Sequence, residues 1–324
     1  MPVDVLAEYT MHNEPRDTLF KFAYRLDGDF YESKYANANR VSQQLEIGAD
    51  IADEDDLGRQ RRVLQSSFYL KVHDATNYDP DTGLDREVDG VGIPDRLAYR
   101  GAGVHVNFEH SLRRWSYGAT ARLEGRQYGA AAELPDYDHD LSFLKVGATY
   151  SLTRKATLGA DLLRFRRAYG ERLARNIDGD LLATNAVLAY DYSGIELGVN
   201  YDLSPALEIA AEYLFLERTD DFEGYFDSLQ DRLLASVRYR LSDRISLRAR
   251  LRARAFYYPN AFAFNDNTNE FLDTIDRGAE VRAEFQLTPD ISIWAEIAAD
   301  RVKSTDPRIA YERSRTMLGM LWRY

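Results

Sequence analysis

Four arginines stand at every second position of one short stretch, ISLRARLRARAF: Arg248, Arg250, Arg252 and Arg254. A guanidinium keeps its charge at any ordinary pH and offers a rigid fork of donors that suits carboxylates and phosphates. Arg238 and Arg240 stand two apart on the preceding segment, and Arg282 on the following one. Gathered around water, these seven side chains would make a strip selective for an anionic solute or polysaccharide. The neighbouring segments also carry Glu280, Glu284, Glu296 and Asp300. A second reading is therefore a ladder of ion pairs that stiffens the structure. No acid lies within 245–258, so an excess of positive charge is expected there.

Other candidate chemistry is sparse. The stretch NYDPDTGLDREVDG spaces Asp79, Asp81 and Asp85 around Gly83, and alternating carboxylates suit Ca²⁺, which takes six or more oxygens. The glycine is misplaced for an EF-hand loop and no glutamate closes it, so a solvated acidic loop is the plainer reading. His73 and His105 share a parity but lie at different heights, with no third ligand for zinc. The chain has no cysteine, hence no disulfide and no thiolate metal site. It shows no Gly-x-Ser-x-Gly elbow, no phosphate-binding loop and no basic strip with interleaved aromatics. The expectation is a protein that is not an enzyme, holds no cofactor and binds no nucleic acid.

The arginines need an element that puts all four on one side. Leu247, Ala249, Leu251, Ala253 and Ala255 fill the places between them, and a period of two is the signature of a strand. The pattern recurs in WSYGATARLEGR, LEIAAEYLF, RLLASVRYRL, AEVRAEFQL and ISIWAEIAA. A strand with one apolar and one charged face belongs to a soluble sheet or, inverted, to a membrane barrel. The 324 residues carry a net charge of −12 and a mean hydropathy of −0.47. No apolar run is long enough for a transmembrane helix, which does not exclude a barrel, whose strands hide apolar residues at alternate positions.

Connections separate into two sets. Those at 111–114, 152–155, 203–205, 241–244 and 287–290 are short, whereas 76–96, 128–138, 168–181, 219–229 and 259–276 are long and polar. Short turns at one end and long loops at the other distinguish outer-membrane barrels. Strands are expected near 17–31, 38–52, 62–75, 97–110, 114–127, 139–151, 156–168, 183–203, 206–218, 230–241, 245–258, 276–288, 291–303 and 311–324. That gives an all-β, single antiparallel transmembrane β-barrel of about 14 strands, within a range of 14–16. Residues 1–16 are then a lead-in or an extra strand, and 17–324 the barrel. The amino end, MPVDVLAEY, has no basic segment followed by an apolar one, so an exported chain is expected to be numbered from a processed form. Trp115, Tyr150, Tyr201, Tyr239, Phe285, Trp322 and Tyr324 gather near the short-turn end, as a membrane-interface girdle does.

The last residues, RTMLGMLWRY, put Thr316, Leu318, Met320, Trp322 and Tyr324 on one face and end on an aromatic residue. This resembles the carboxy-terminal signal of Gram-negative outer-membrane barrels, which implies insertion by the barrel-assembly machinery. The texture of the whole chain resembles the β-barrel porins of exopolysaccharide-export systems and the alginate-export porin with its arginine-lined lumen. No plug-like or TonB-box-like segment is visible. The expected protein is an integral outer-membrane porin in contact with lipid and lipopolysaccharide, passing a solute or anionic polysaccharide and open to a periplasmic or outer-membrane partner. A non-conducting scaffold barrel and a barrel enzyme are the alternatives.

Overall fold

The structure is a computed structural model and describes residues 2–13, 18–29, 40–55, 60–75, 87–88, 91–92, 97–128, 137–263 and 270–322. These hold seventeen strands and no helix: β1 (Pro2–Asn13), β2 (Thr18–Asp29), β3 (Arg40–Glu54), β4 (Gln60–Ala75), β5 (Glu87–Val88), β6 (Val91–Gly92), β7 (Leu97–Leu112), β8 (Trp115–Tyr128) and β9 (His139–Ser151) come first. They are followed by β10 (Ala156–Leu173), β11 (Val187–Ser204), β12 (Leu207–Asp220), β13 (Ser228–Arg240), β14 (Ile245–Phe262), β15 (Phe271–Gln286), β16 (Ile291–Ser304) and β17 (Tyr311–Trp322). Apart from the short β5–β6 pair, all fifteen lie in one antiparallel sheet in chain order. They run from 12 to 18 residues, well beyond the usual length of about 5–6 in globular proteins.

Fifteen long strands stand where about fourteen are expected, and β1 pairs with β2 along its whole length, from Pro2 opposite Asp29 to Asn13 opposite Thr18. The expected loop at 259–276 is much shorter. β14 continues through Pro259 to Phe262, with a register shift between Tyr257 and Phe262. A proline donates no ladder hydrogen bond, and such an irregularity is where a strand tolerates one. β15 begins at Phe271, so Asp276 belongs to a strand. On the short side, Arg113 and Arg114 alone join β7 to β8, and Arg113 has φ 56°, the left-handed conformation that tight hairpins favour.

The described residues fall into two compact units. Met1–Val146, Leu163–Tyr192 and Asp220–Glu223 make the first. Its interior is aromatic. Ring contacts run from His73 to Tyr99 (5.0 Å), Tyr128 (5.2 Å), His139 (5.7 Å) and Tyr169 (5.3 Å). They continue to Tyr190, Tyr192 and Phe165, the last two stacked at 3.8 Å. In the same unit Glu124 is buried, with its carboxylate accepting from the Tyr69 hydroxyl at 2.7 Å, from Arg126 Nε at 2.6 Å and from Arg122. A buried carboxylate is tolerable only when its oxygens are satisfied in this way. The Tyr69 ring gets there by lying across Gly103, where an added Cβ would collide with the ring and its hydroxyl.

Gly147–Leu162, Ser193–Thr219 and Gly224–Tyr324 make the second unit. One face is apolar and exposed, with Leu251 at 59%, Ile297 at 64% and Leu318 at 78%. The opposite face carries the arginines. A small apolar cluster of Tyr258, Ala261 and Leu272, covered by Tyr225, Phe226, Phe256 and Ile309, closes its long-connection end.

Gly103→Ala should push the Tyr69 ring off Glu124 and lower the unfolding free energy by about 1–3 kcal/mol, read as the urea midpoint of the folded chain in micelles. An unchanged midpoint would show that the Tyr69–Glu124 bond is not held by that glycine.

Candidate functional site

The register of the second unit sorts the candidate arginines into two groups. Arg238 on β13 is directly opposite Arg248 on β14, which is directly opposite Arg282 on β15. Directly opposed residues have Cβ atoms about 4.5–5.5 Å apart, and like charges so placed repel. This row is scarcely neutralised. Arg238 reaches Glu208 only at 3.9 Å, between two well-exposed side chains. Arg282 lies over the Trp294 ring at 4.1 Å, a cation–π contact that holds the guanidinium without cancelling its charge. Arg248 makes no ion pair or hydrogen bond among the described residues, and its Nε is buried without a partner. Arg240, opposite Ser246, adds a further cation beside them, with no ion pair among the described residues.

The second group is locked. Arg254 donates to Asp276 through Nε at 2.9 Å. Arg252 donates to Asp276 and to Asp300, each at 3.1 Å. Arg313 on β17 completes the line, donating to Asp300 at 2.9 Å. The ladder crosses four strands, and Gly278 makes it feasible. Arg252 on β14 must pass over β15 to reach Asp300 on β16, and Gly278 is the β15 residue between them. A Cβ there would lie 2.8 Å from the Asp300 oxygen and 3.3 Å from the Arg252 guanidinium. Arg250 faces Glu280 at 3.7 Å, a looser pair. Arg232 binds Glu212 at 2.5 Å and Glu196 at 3.2 Å. A cavity of about 480 Å³ opens over this face, lined by Arg250, Arg252, Arg313, Arg315, Glu212 and Glu280 among others.

Of the partners expected from sequence, Asp300 and Glu280 pair as ladder members, while Glu296 binds Arg315 at 3.5 Å, not Arg282 opposite it. Glu284 is opposite Ser246. Asp276, Gly278, Arg313 and Trp294 are neighbours of the candidate arginines that the sequence alone does not single out. Asp276 stands at the border of the expected loop 259–276 and strand 276–288, and its alternation with Gly278 and Glu280 is the signal that places it on the strand.

His73 lies within the aromatic line of the first unit, and His105 is opposite Ser67 and Arg122. Among the described residues no three His, Asp or Glu side chains gather as a metal site. Asp79, Asp81 and Asp85 lie outside the described residues, as does Tyr324. Trp115 opens β8, stacked on Tyr117 at 5.9 Å. Tyr150, Tyr201, Tyr239, Phe285 and Trp322 all fall within the last four residues of their strands, at the short-turn ends.

No family model matches the chain, and no curated protein does. Solved structures do. The copper transporter OprC matches with a TM-score of 0.51 and 14% identity over 99% of this chain, and the ferric citrate transporter FecA with 0.51 and 11% over 98%. The chain spans only 57% and 54% of their lengths. A loop-deleted form of OmpT, an outer membrane protein of Vibrio cholerae, matches over 98% of this chain and 99% of its own, with 13% identity and a TM-score of 0.48. The fold is that of integral outer-membrane β-barrel proteins, and the exposed apolar faces of the strands then meet lipid. That fold assigns the chain to the bacterial outer membrane. It gives no support to the finer resemblance to exopolysaccharide-export porins. The expectation that the chain is not an enzyme is also withdrawn. A fold shared at 11–14% identity shows the fold alone and does not exclude catalysis.

The two arginine groups should respond oppositely to truncation. Arg252→Ser takes a charged donor from each of two carboxylates and should cost about 1–3 kcal/mol of stability. Arg248→Ser removes a repelling charge from between two others and should leave the urea midpoint unchanged or raised. Equal losses in the two variants would refute the division.

Proposed function

We propose that the chain is an outer-membrane channel that passes an anionic solute, with an acidic polysaccharide as the substrate class that best suits it. The observation that carries this reading is the Arg238–Arg248–Arg282 row. A sheet built only for stability would place an acid opposite Arg248, as it does for Arg250 and Arg254; here acids stand only at the two ends of the row, Glu208 opposite Arg238 and Glu296 opposite Arg282. Keeping three guanidinium groups in adjacent register costs repulsion that a passing anion offsets. The neighbouring ladder suits the same role: by satisfying Arg252, Arg254 and Arg313 internally, it fixes the wall and leaves the row as the net charge seen by a solute. Successive carboxylates of an acidic glycan would exchange along such a strip, bound firmly enough to enter and weakly enough to leave. OprC and FecA, each matched at a TM-score of 0.51, are transporters by name, which accords with passage as the activity.

Planar-bilayer recording tests this. The reversal potential under a salt gradient should report anion preference, and an added oligouronate should block the current. The triple variant Arg238→Ser, Arg248→Ser, Arg282→Ser should shift the preference toward cations and relieve the block. A silent bilayer would favour a scaffold barrel, and a conducting triple variant with unchanged selectivity would remove the row from the pathway.

A further inference from the structure

The apolar face of the second unit is not apolar throughout. Across β12 to β17 one row reads Ile209, Val237, Ala249, Val281, Ile297 and Thr316. Two rows nearer the long connections stand Arg277 and Arg301, directly opposite each other on β15 and β16. One row further, Lys303 is opposite Ile275. All three are exposed. Arg301 pairs with Glu312 at 2.7 Å, but Arg277 and Lys303 have no ion pair or hydrogen bond among the described residues. On β13 to β17 the other acids of this face are Asp273 and Asp231. Asp273 is four residues from Arg277 along β15. Asp231 is two strands away and held by the Tyr213 hydroxyl. The patch of Arg277, Arg301, Lys303 and Glu312 therefore carries three positive charges and one negative, with Asp273 bordering it diagonally from Lys303.

Its height is informative. Arg277 lies eight residues from Phe285 on the same face of β15. At about 3.3 Å per residue and a tilt near 40°, that is roughly 20 Å along the membrane normal. An outer-membrane barrel has an apolar band about 25 Å tall. With Phe285 at the short-turn border, the cations fall at the opposite border, on the side that carries long loops and faces outward in such barrels. A shallow cavity of about 720 Å³ lies beside them, bounded by Arg277, Arg301, Glu312, Leu233 and Leu251, with alanines between.

We propose that this patch binds lipopolysaccharide: the guanidinium groups of Arg277 and Arg301, with the Lys303 ammonium, hold a phosphate of lipid A, and the cavity beneath receives part of an acyl chain. Two like charges opposed on a lipid-facing surface repel, and a phosphate between them turns that repulsion into charge-assisted hydrogen bonds. Bulk water offers no such compensation at an apolar border. The outer leaflet supplies a phosphate at this height and an acyl chain directly below it, which is the order in which the cations and the cavity are arranged. This site is independent of conductance and of the Arg238–Arg248–Arg282 row.

The test uses the full chain in nanodiscs, with native mass spectrometry and titration of bis-phosphorylated lipid A. Arg277→Gln, Arg301→Gln, Lys303→Gln together should weaken binding at least about tenfold, as expected for losing the charged contacts to one phosphate. Arg244→Gln, at the short-turn end, should leave it unchanged. Heat-modifiable mobility on a gel confirms that each variant is folded. If the triple variant fails to fold, Arg277→Gln alone, which has no ion pair to lose, should still weaken binding measurably. Unchanged affinity in the folded variants, or equal binding of dephosphorylated lipid A, would overturn the proposal. Equal or tighter binding of phosphatidylglycerol would also overturn it, by assigning the site to a phospholipid.

Discussion

In hydrocarbon a backbone amide or carbonyl has no water to bind, and each unsatisfied group costs several kcal/mol. The fifteen long strands pair with their neighbours in chain order, and pairing fixes register. β13 and β14 illustrate the consequence: Arg238 opposite Arg248 entails Val237 opposite Ala249 and Ala235 opposite Leu251. A slip of one residue would carry every side chain of the strand to the other face. Leu251 would enter the charged interior and Arg250 would meet lipid, where a charge near mid-depth costs about 2–4 kcal/mol. The ladder, the arginine row and the outward cations each depend on the register of the strands that carry them.

Within the paired sheet, small residues decide which contacts exist. Gly278 admits a guanidinium from one strand to a carboxylate two strands away, and Gly103 admits the Tyr69 ring to Glu124. Gly319 does the same for Trp294, the ring beneath Arg282. In each case a long polar or aromatic side chain lies across a neighbouring strand, and a methyl group at the crossing would collide with it. Cross-strand pairing is usually written as two facing residues. Here facing pairs such as Arg254–Asp276 stand beside pairs two strands apart, Arg252–Asp300 and Tyr69–Glu124, with glycine as the intervening residue.

Those crossings explain how far the structure is legible in the sequence. Strand positions are legible, because alternation survives in any register: β10 and β16 begin at the residues expected, Ala156 and Ile291. The ends of β14 and β15 are not, because Pro259 reads locally as a stop and the polar run before Phe271 reads as loop, whereas tertiary pairing carries both strands further. The arginines are visible as a group, since charge and parity are local. Their division is not. Arg248 and Arg252 occupy equivalent positions in the same repeat, and only the register of β15 shows that one meets Arg282 and the other Gly278. The buried network around Glu124 has no sequence signal beyond the tyrosine content of the chain.

Arginine thus has three fates within one unit, set by what the pairing brings opposite it. Facing carboxylates across a glycine, it is structural: Arg252 and Arg313 share Asp300, and their charge is neutralised inside the wall. Facing arginines on both sides, as Arg248 does, it is a retained positive charge. On the outer surface the constraint is depth. A guanidinium group is costly at the centre of the bilayer and nearly neutral at its border, so Arg277 and Arg301 are confined to the height at which headgroups lie. The same side chain is therefore neutralised, left charged or confined to a border according to register and depth, and none of these can be assigned until the strands are paired.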